Sequence, residues 1–134
     1  MFLQPKSSKY KKFKKGKLSK YSLKSKKLKF GNIGLKALKS GIITSRQLES
    51  ARQAINRKVN RKGKLWIRIY PNLPITAKPS ESRMGKGKGS VNHWAAKVKA
   101  GQFIFEICGI NFNVAAMAFK SGKSKLPIKT IICY

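Results

Sequence analysis

The chain predicts an α+β fold: a mostly antiparallel sheet, two helices and a basic N-terminal arm. Three observations predict it. Residues 64–70 alternate strictly, residues 45–61 carry an apolar stripe at spacings of three and four, and residues 1–29 hold twelve lysines and no acid. Alternation marks a strand with one buried face, and the wider spacing marks a helix with one buried stripe. The order strand, helix, strands, helix, strand points to helices covering an antiparallel sheet. At 134 residues the chain is bounded to one domain, 30–134, behind the arm at 1–29.

In the arm, Tyr10, Phe13, Leu18, Tyr21, Leu23 and Leu28 interleave with the lysines. A charge run alone is a solvated tail. The aromatics favour an arm that orders on RNA, stacking on bases or wedging into a groove. Residues 30–43 predict short strands turning near Ser40-Gly41. The helix at about 45–61 follows, with Thr44 as N-cap and Gln47 at the capping-box position. Leu48, Ala51, Ile55 and Val59 form its stripe, and Gly63 is its expected terminator. Arg46, Arg52, Arg57, Lys58 and Arg61 occupy its other faces. Four of the six arginines thus fall in one helix, and their planar forks suit phosphate.

In the strand at 64–70, Leu65, Ile67 and Ile69 share one face, and Trp66, Arg68 and Tyr70 the other. Pro71, Pro74 and Pro79 impose an extended connection. A glycine-rich loop is expected at about 80–93. Trp94–Lys99 and Gln102–Cys108 predict two strands turning at Ala100-Gly101. A short helix is expected from Val114 to about Lys120, ending by Gly122, and a last strand over Leu126–Cys133.

The formal charge of +29, from 32 Lys plus Arg against three acids, is too large to neutralise internally. A polyanion must supply the counter-charge, and nucleic acid fits best because its phosphates are dense and binding releases counterions. A membrane surface would need a long basic amphipathic helix, and a span about 20 apolar residues; neither is present. The cations comprise 26 Lys and six Arg, with 13 Ile, seven Asn and no Asp. Physics explains the charge but not the lysine bias; an AT-rich gene accounts for it.

Catalytic chemistry is scarce. Glu49, Glu81 and Glu106 are the only carboxylates, and Glu49 and Glu106 are expected to pair internally with Arg or Lys. Cys108 and Cys133 match no zinc spacing, and the lone His93 completes no metal site, so no cofactor is expected. His93 either contacts RNA or caps a loop. Gly122-Lys123-Ser124 imitates the end of a nucleotide-binding loop, but Met117 stands where the motif needs glycine. The segment Arg83-Met84-Gly85-Lys86-Gly87-Lys88-Gly89 carries the strongest chemistry. Its glycines let the backbone approach a ligand closely, and its cations suit phosphate. Burial would strand those charges, so a projecting cationic finger is expected.

Several longer motifs then converge. LQPK at 3–6, TSRQLESARQA at 44–54, GKLWIRIYPNLPIT at 63–76, KPSESRMGKGKGS at 78–90, FEICGI at 105–110 and KLPIKT at 125–130 stand in one order. In this order they resemble the bacterial-type family of large-subunit ribosomal protein sixteen. The resemblance spans nearly the whole chain and implies a hammerhead-like α+β fold built into the large ribosomal subunit. It implies that Arg83–Gly89 is a tRNA-proximal loop reaching towards the peptidyl-transferase centre and the acceptor arm of A-site tRNA. It implies that Lys6, Lys9, Lys11, Lys12, Lys14 and Lys15 embed in rRNA, and that Arg46, Arg52 and Arg57 present a basic helix face to it. Neighbouring ribosomal proteins are implied partners; a membrane partner and a homo-oligomer are not. Residues 17–29 depart from the family pattern, as do Asn72 and 111–113. The start without added presequence, together with the AT-type composition, favours an organelle-encoded copy, mitochondrial ahead of plastid, with an AT-rich bacterium as the alternative. A general histone-like nucleic-acid-binding protein is the competing function.

Overall fold

The computed structural model describes residues 3–18, 21–22 and 27–134. Leu23, counted among the interleaved apolar residues of the arm, lies outside these. The described elements run β1 (Ile33–Ala37), β2 (Gly41–Thr44), α1 (Ser45–Lys58), β3 (Lys64–Ile67), β4 (Leu73–Ala77), β5 (Ser90–Val98), β6 (Phe103–Cys108), α2 (Phe112–Lys123) and β7 (Thr130–Cys133). The α+β expectation holds, but the strands form two sheets instead of one: β3-β6-β1-β7 and β2-β5-β4. Every strand pair in them is antiparallel.

Helix α1 starts where the local chemistry directs. The Thr44 hydroxyl accepts from the Gln47 N–H at 3.2 Å, and the Gln47 side-chain oxygen accepts from the Thr44 N–H at 3.0 Å. Two otherwise orphaned donors are satisfied reciprocally. Leu48, Ala51, Ile55 and Val59 are all buried. The helix ends at Lys58 instead of 61, because Asn60 and Arg61 turn into the left-handed region at φ 51° and 59°. Gly63 lies beyond that turn.

Helix α2 packs on α1, and together they close the core over the sheets. It runs to Lys123, past the expected stop at Gly122. Gly122 is a contact residue: a Cβ there would lie 2.6 and 2.8 Å from the Ile55 Cγ1 and Cδ1. Strand β4 replaces part of the expected irregular connection. It pairs only with β5, so Pro74 sits on a sheet edge, where its missing N–H breaks no ladder. Strands β5 and β6 do turn at Gly101 (φ 85°), yet they belong to different sheets, so the turn carries the chain from one sheet to the other. The strand at 64–70 is regular only to Ile67, although the Arg68 N–H still reaches the Ile104 carbonyl at 2.9 Å. The last strand begins at Thr130, later than expected.

Leu65, Ile67 and Ile69 turn into the core, as their alternation predicts. The opposite face of this sheet is roofed by the base of the arm. Phe30 stacks on Trp66 with ring centroids 6.0 Å apart, and the Lys29, Phe30 and Gly31 N–H groups all donate to the buried Glu106 carboxylate at 2.8–3.2 Å. Arg68 completes the ion pair with Glu106. Leu3, near the far end of the arm, is itself in the core.

Candidate nucleic-acid interface

The pairing of β4 with β5 runs to Ala77↔Ser90, so residues 78–89 leave the sheet as a finger on a two-stranded base. The loop is therefore shorter than the expected 80–93 at its far end. His93 lies on β5 opposite Ile75, half-buried beside Trp94, and not in the loop. Gly89 pinches the base: a Cβ there would lie 2.3 Å from the Ala77 carbonyl oxygen. At the tip, Gly85, Lys86 and Gly87 are consecutive left-handed residues, φ 87°, 52° and 79°. Lysine in that region costs roughly 1–2 kcal/mol relative to its ordinary conformations. No atom comes within 4 Å of a Cβ built at Gly85 or Gly87, and Met84 is 97% exposed. Arg83, Lys86 and Lys88 are all exposed.

The finger is tied at both Gly85 and Lys88. Lys78 Nζ donates to the Gly85 carbonyl, and Lys12 Nζ from the arm donates to the Lys88 carbonyl at 2.8 Å. Lys88 Nζ donates back to the Phe13 carbonyl, and Lys97 Nζ to that of Lys15. The arm thus lies along the finger and β5. Its cations at Lys6, Lys9, Lys11, Lys12, Lys14 and Lys15 are exposed together. Tyr10 and Phe13 meet edge to face at 6.1 Å, with Lys9 over the Tyr10 ring.

Helix α1 supplies a second cationic surface. Arg46 and Arg57 are exposed, whereas Arg52 forms a two-pronged ion pair with Glu49 at 2.7 and 2.9 Å. That hydrogen bond, against the opposing effect of burial, holds the Glu49 carboxyl below its ordinary pKa. Arg52 is therefore partly neutralised, and Arg57 is the freer of the two. The left-handed turn brings Arg61 beside Arg52 and Arg57 in a groove that Gln53, Asn56 and Asn60 also line. The amides were not singled out by charge; their i, i+3 and i+7 spacing on α1 and its terminal turn is the signal that places them there. A neighbouring groove joins Arg46 and Gln53 to His93 and Trp94 across the arm's Leu3 and Gln4.

Glu49 and Glu106 are both engaged in internal pairs, as expected from the scarcity of acids. Cys108 and Cys133 are free and half-buried. Among the described residues no cluster of His, Cys, Asp or Glu could hold a metal ion, and no helix is long and apolar enough to cross a membrane. What the surface offers is cations, amides and aromatic rings on a finger, an arm and a helix face, which suits contact with a phosphate backbone and with bases.

Comparison with known proteins agrees in extent and order. The family model of ribosomal protein L16p/L10e matches residues 5–133. The large ribosomal subunit protein uL16 of Bartonella henselae is 52% identical over 128 residues, which are 96% of this chain and 93% of the relative. The proteins of that name from Sphingopyxis alaskensis and Halorhodospira halophila are 51% and 49% identical over 96% of this chain and 90% and 93% of their own lengths. The matched span takes in the arm, both sheets, both helices and the finger, and the chain belongs to the ribosomal protein L16p/L10e family, a family of structural ribosomal proteins and not of enzymes.

Proposed function

We propose that the chain is a structural constituent of the large ribosomal subunit. The arm and the α1 face bind large-subunit rRNA, and the finger at Arg83–Gly89 reaches the acceptor arm of A-site tRNA near the peptidyl-transferase centre. Peptide-bond chemistry belongs to the RNA; the protein positions and neutralises. The observation that carries this reading is the family match over 5–133. It encloses a solvated cationic finger whose tip, from Arg83 to Gly89, contains no acid. A positively charged, glycine-jointed tip approaches a phosphate backbone without Cβ clashes and without an acid of its own to pair with its cations. Neighbouring ribosomal proteins are the remaining partners, and the chain acts as a single copy.

We place this ribosome in an organelle, mitochondrial ahead of plastid. The support is compositional: 26 Lys to six Arg, with many Ile and Asn, as an AT-rich gene produces. The relatives named above are bacterial, so an AT-rich bacterium is the alternative source.

Sedimentation of native extract tests the function. The chain is expected to travel with large subunits, to be released by RNase and to be unaffected by DNase. Recovery in the ribosome-free fraction under gentle lysis would overturn the proposal, and release by DNase would favour the general histone-like reading.

A further inference from the structure

Lys12 and Lys88 each point an ammonium group at the backbone of the other's segment. Lys12 Nζ donates to the Lys88 carbonyl and Lys88 Nζ to the Phe13 carbonyl, across 76 and 75 residues of chain. The exchange closes a ring between two segments that share no strand pairing. It joins two cationic segments in a protein of +29 formal charge. A lysine that holds a carbonyl keeps its charge but is aimed at the chain, with one of its three donors already committed. Lys86 differs: it stands at the tip in the left-handed region, and neither it nor Arg83 has a hydrogen-bond partner among the described residues. Lys97 repeats the device one step further along, holding the Lys15 carbonyl beside the left-handed Gly16.

We infer that Lys12 and Lys88 are positioning residues that clip the finger to the arm, and that Lys86 and Arg83 are the cations that meet the RNA. The inference rests on the tRNA-facing reading of the finger, which it divides into a contacting tip and a braced root. Two adjacent lysines of one motif, alike in charge and exposure, thus have different tasks.

The test has two arms, both on the full chain. In the free protein, the backbone order parameters of the Gly87 and Gly89 amides report the clip without the tRNA, the tie from Lys78 to the Gly85 carbonyl being left in place. Lys12→Ala and Lys88→Ala are each expected to take them from about 0.85, the rigid range, to below about 0.6, while Lys86→Ala leaves them unchanged. In large subunits reconstituted with each variant, A-site tRNA affinity is measured across salt concentrations. Lys86→Ala should lower the salt slope by about 1, as loss of one phosphate contact does. Lys88→Ala and Lys12→Ala should weaken tRNA binding by similar factors at an unchanged slope, and the double variant should be no weaker than either. Lys88→Arg should restore the order parameters. Unchanged order parameters in Lys12→Ala, or losses of tRNA affinity that multiply in the double variant, would overturn the inference. Lowered order parameters with no effect of any variant on tRNA would uphold the clip and remove the tRNA reading.

Discussion

Glu106 is the only buried carboxylate among the described residues, and four donors converge on it: the Arg68 guanidinium and the N–H groups of Lys29, Phe30 and Gly31. Burial pushes its pKa up, but the three backbone hydrogen bonds and the Arg68 charge together outweigh burial and hold it below the ordinary carboxylate value. A lowered folded-state pKa contributes stability that is complete above the unfolded value, about 4.3. That stability is lost as pH falls through the lower folded value. Glu106→Gln is therefore expected to destabilise the fold at neutral pH by about 3–5 kcal/mol, as breaking a buried pair does. It should also flatten the acid limb of the stability curve; urea titrations between neutral pH and pH 3 read both. An unchanged urea midpoint would show that the carboxylate is not the anchor. The role of Glu106 was legible in part. Three acids among 32 cations make an internal pair the natural expectation, but nothing local identifies Arg68. That partner is set by the registry of β3 on β6, where Trp66 pairs with Glu106. The backbone donors come from residues 29–31, at the boundary where the arm was expected to leave the domain.

At the scale of elements, the helix pair depends on one missing side chain. Gly122 lets α2 approach Ile55 of α1, which is fully buried. Gly122→Val should cost about 1–3 kcal/mol by overpacking, seen as a lower urea midpoint with helical content retained in the folded baseline. A neutral result would mean that the helices separate freely. Helix α1 was legible because its cap, stripe and breaker are all local. Gly122 was misleading for the opposite reason: glycine ends helices when only the chain is considered, and only the facing Ile55 explains one inside. Likewise, three prolines between Pro71 and Pro79 argue against a strand until β4 is known to be an edge. The turn at Ala100-Gly101 marked the end of β5 and the start of β6 but not their partners, so the division into two sheets could not be seen.

At the scale of the molecule, charge dominates. With Glu49 and Glu106 paired internally, the surface retains nearly all of its excess of cations. The free chain is expected to gain thermal stability between 50 mM and 500 mM neutral salt, since the screening length shrinks to a few ångströms over that range, about 10 Å at 0.1 M. Its affinity for RNA should fall over the same range. A melting temperature indifferent to salt would show that self-repulsion does not limit the fold. The finger itself was the most legible feature of all, because glycine and lysine at its tip act through their own backbone freedom and charge. Its bracing by the arm was not, since that contact joins residues 75 and 76 positions apart.

The Glu106 anchor has a consequence for the order of events during synthesis. Residues 29–31 emerge from a ribosome 75–77 residues ahead of the carboxylate that will hold them. At about 5–20 residues per second this leaves roughly 4–15 s in which the basic arm exists without its seat. Strand β1 waits as well, because its partners β6 and β7 are the last strands made. Throughout that interval an arm that binds RNA, as proposed above, is open to RNA before its own domain exists, so capture by RNA would compete kinetically with folding.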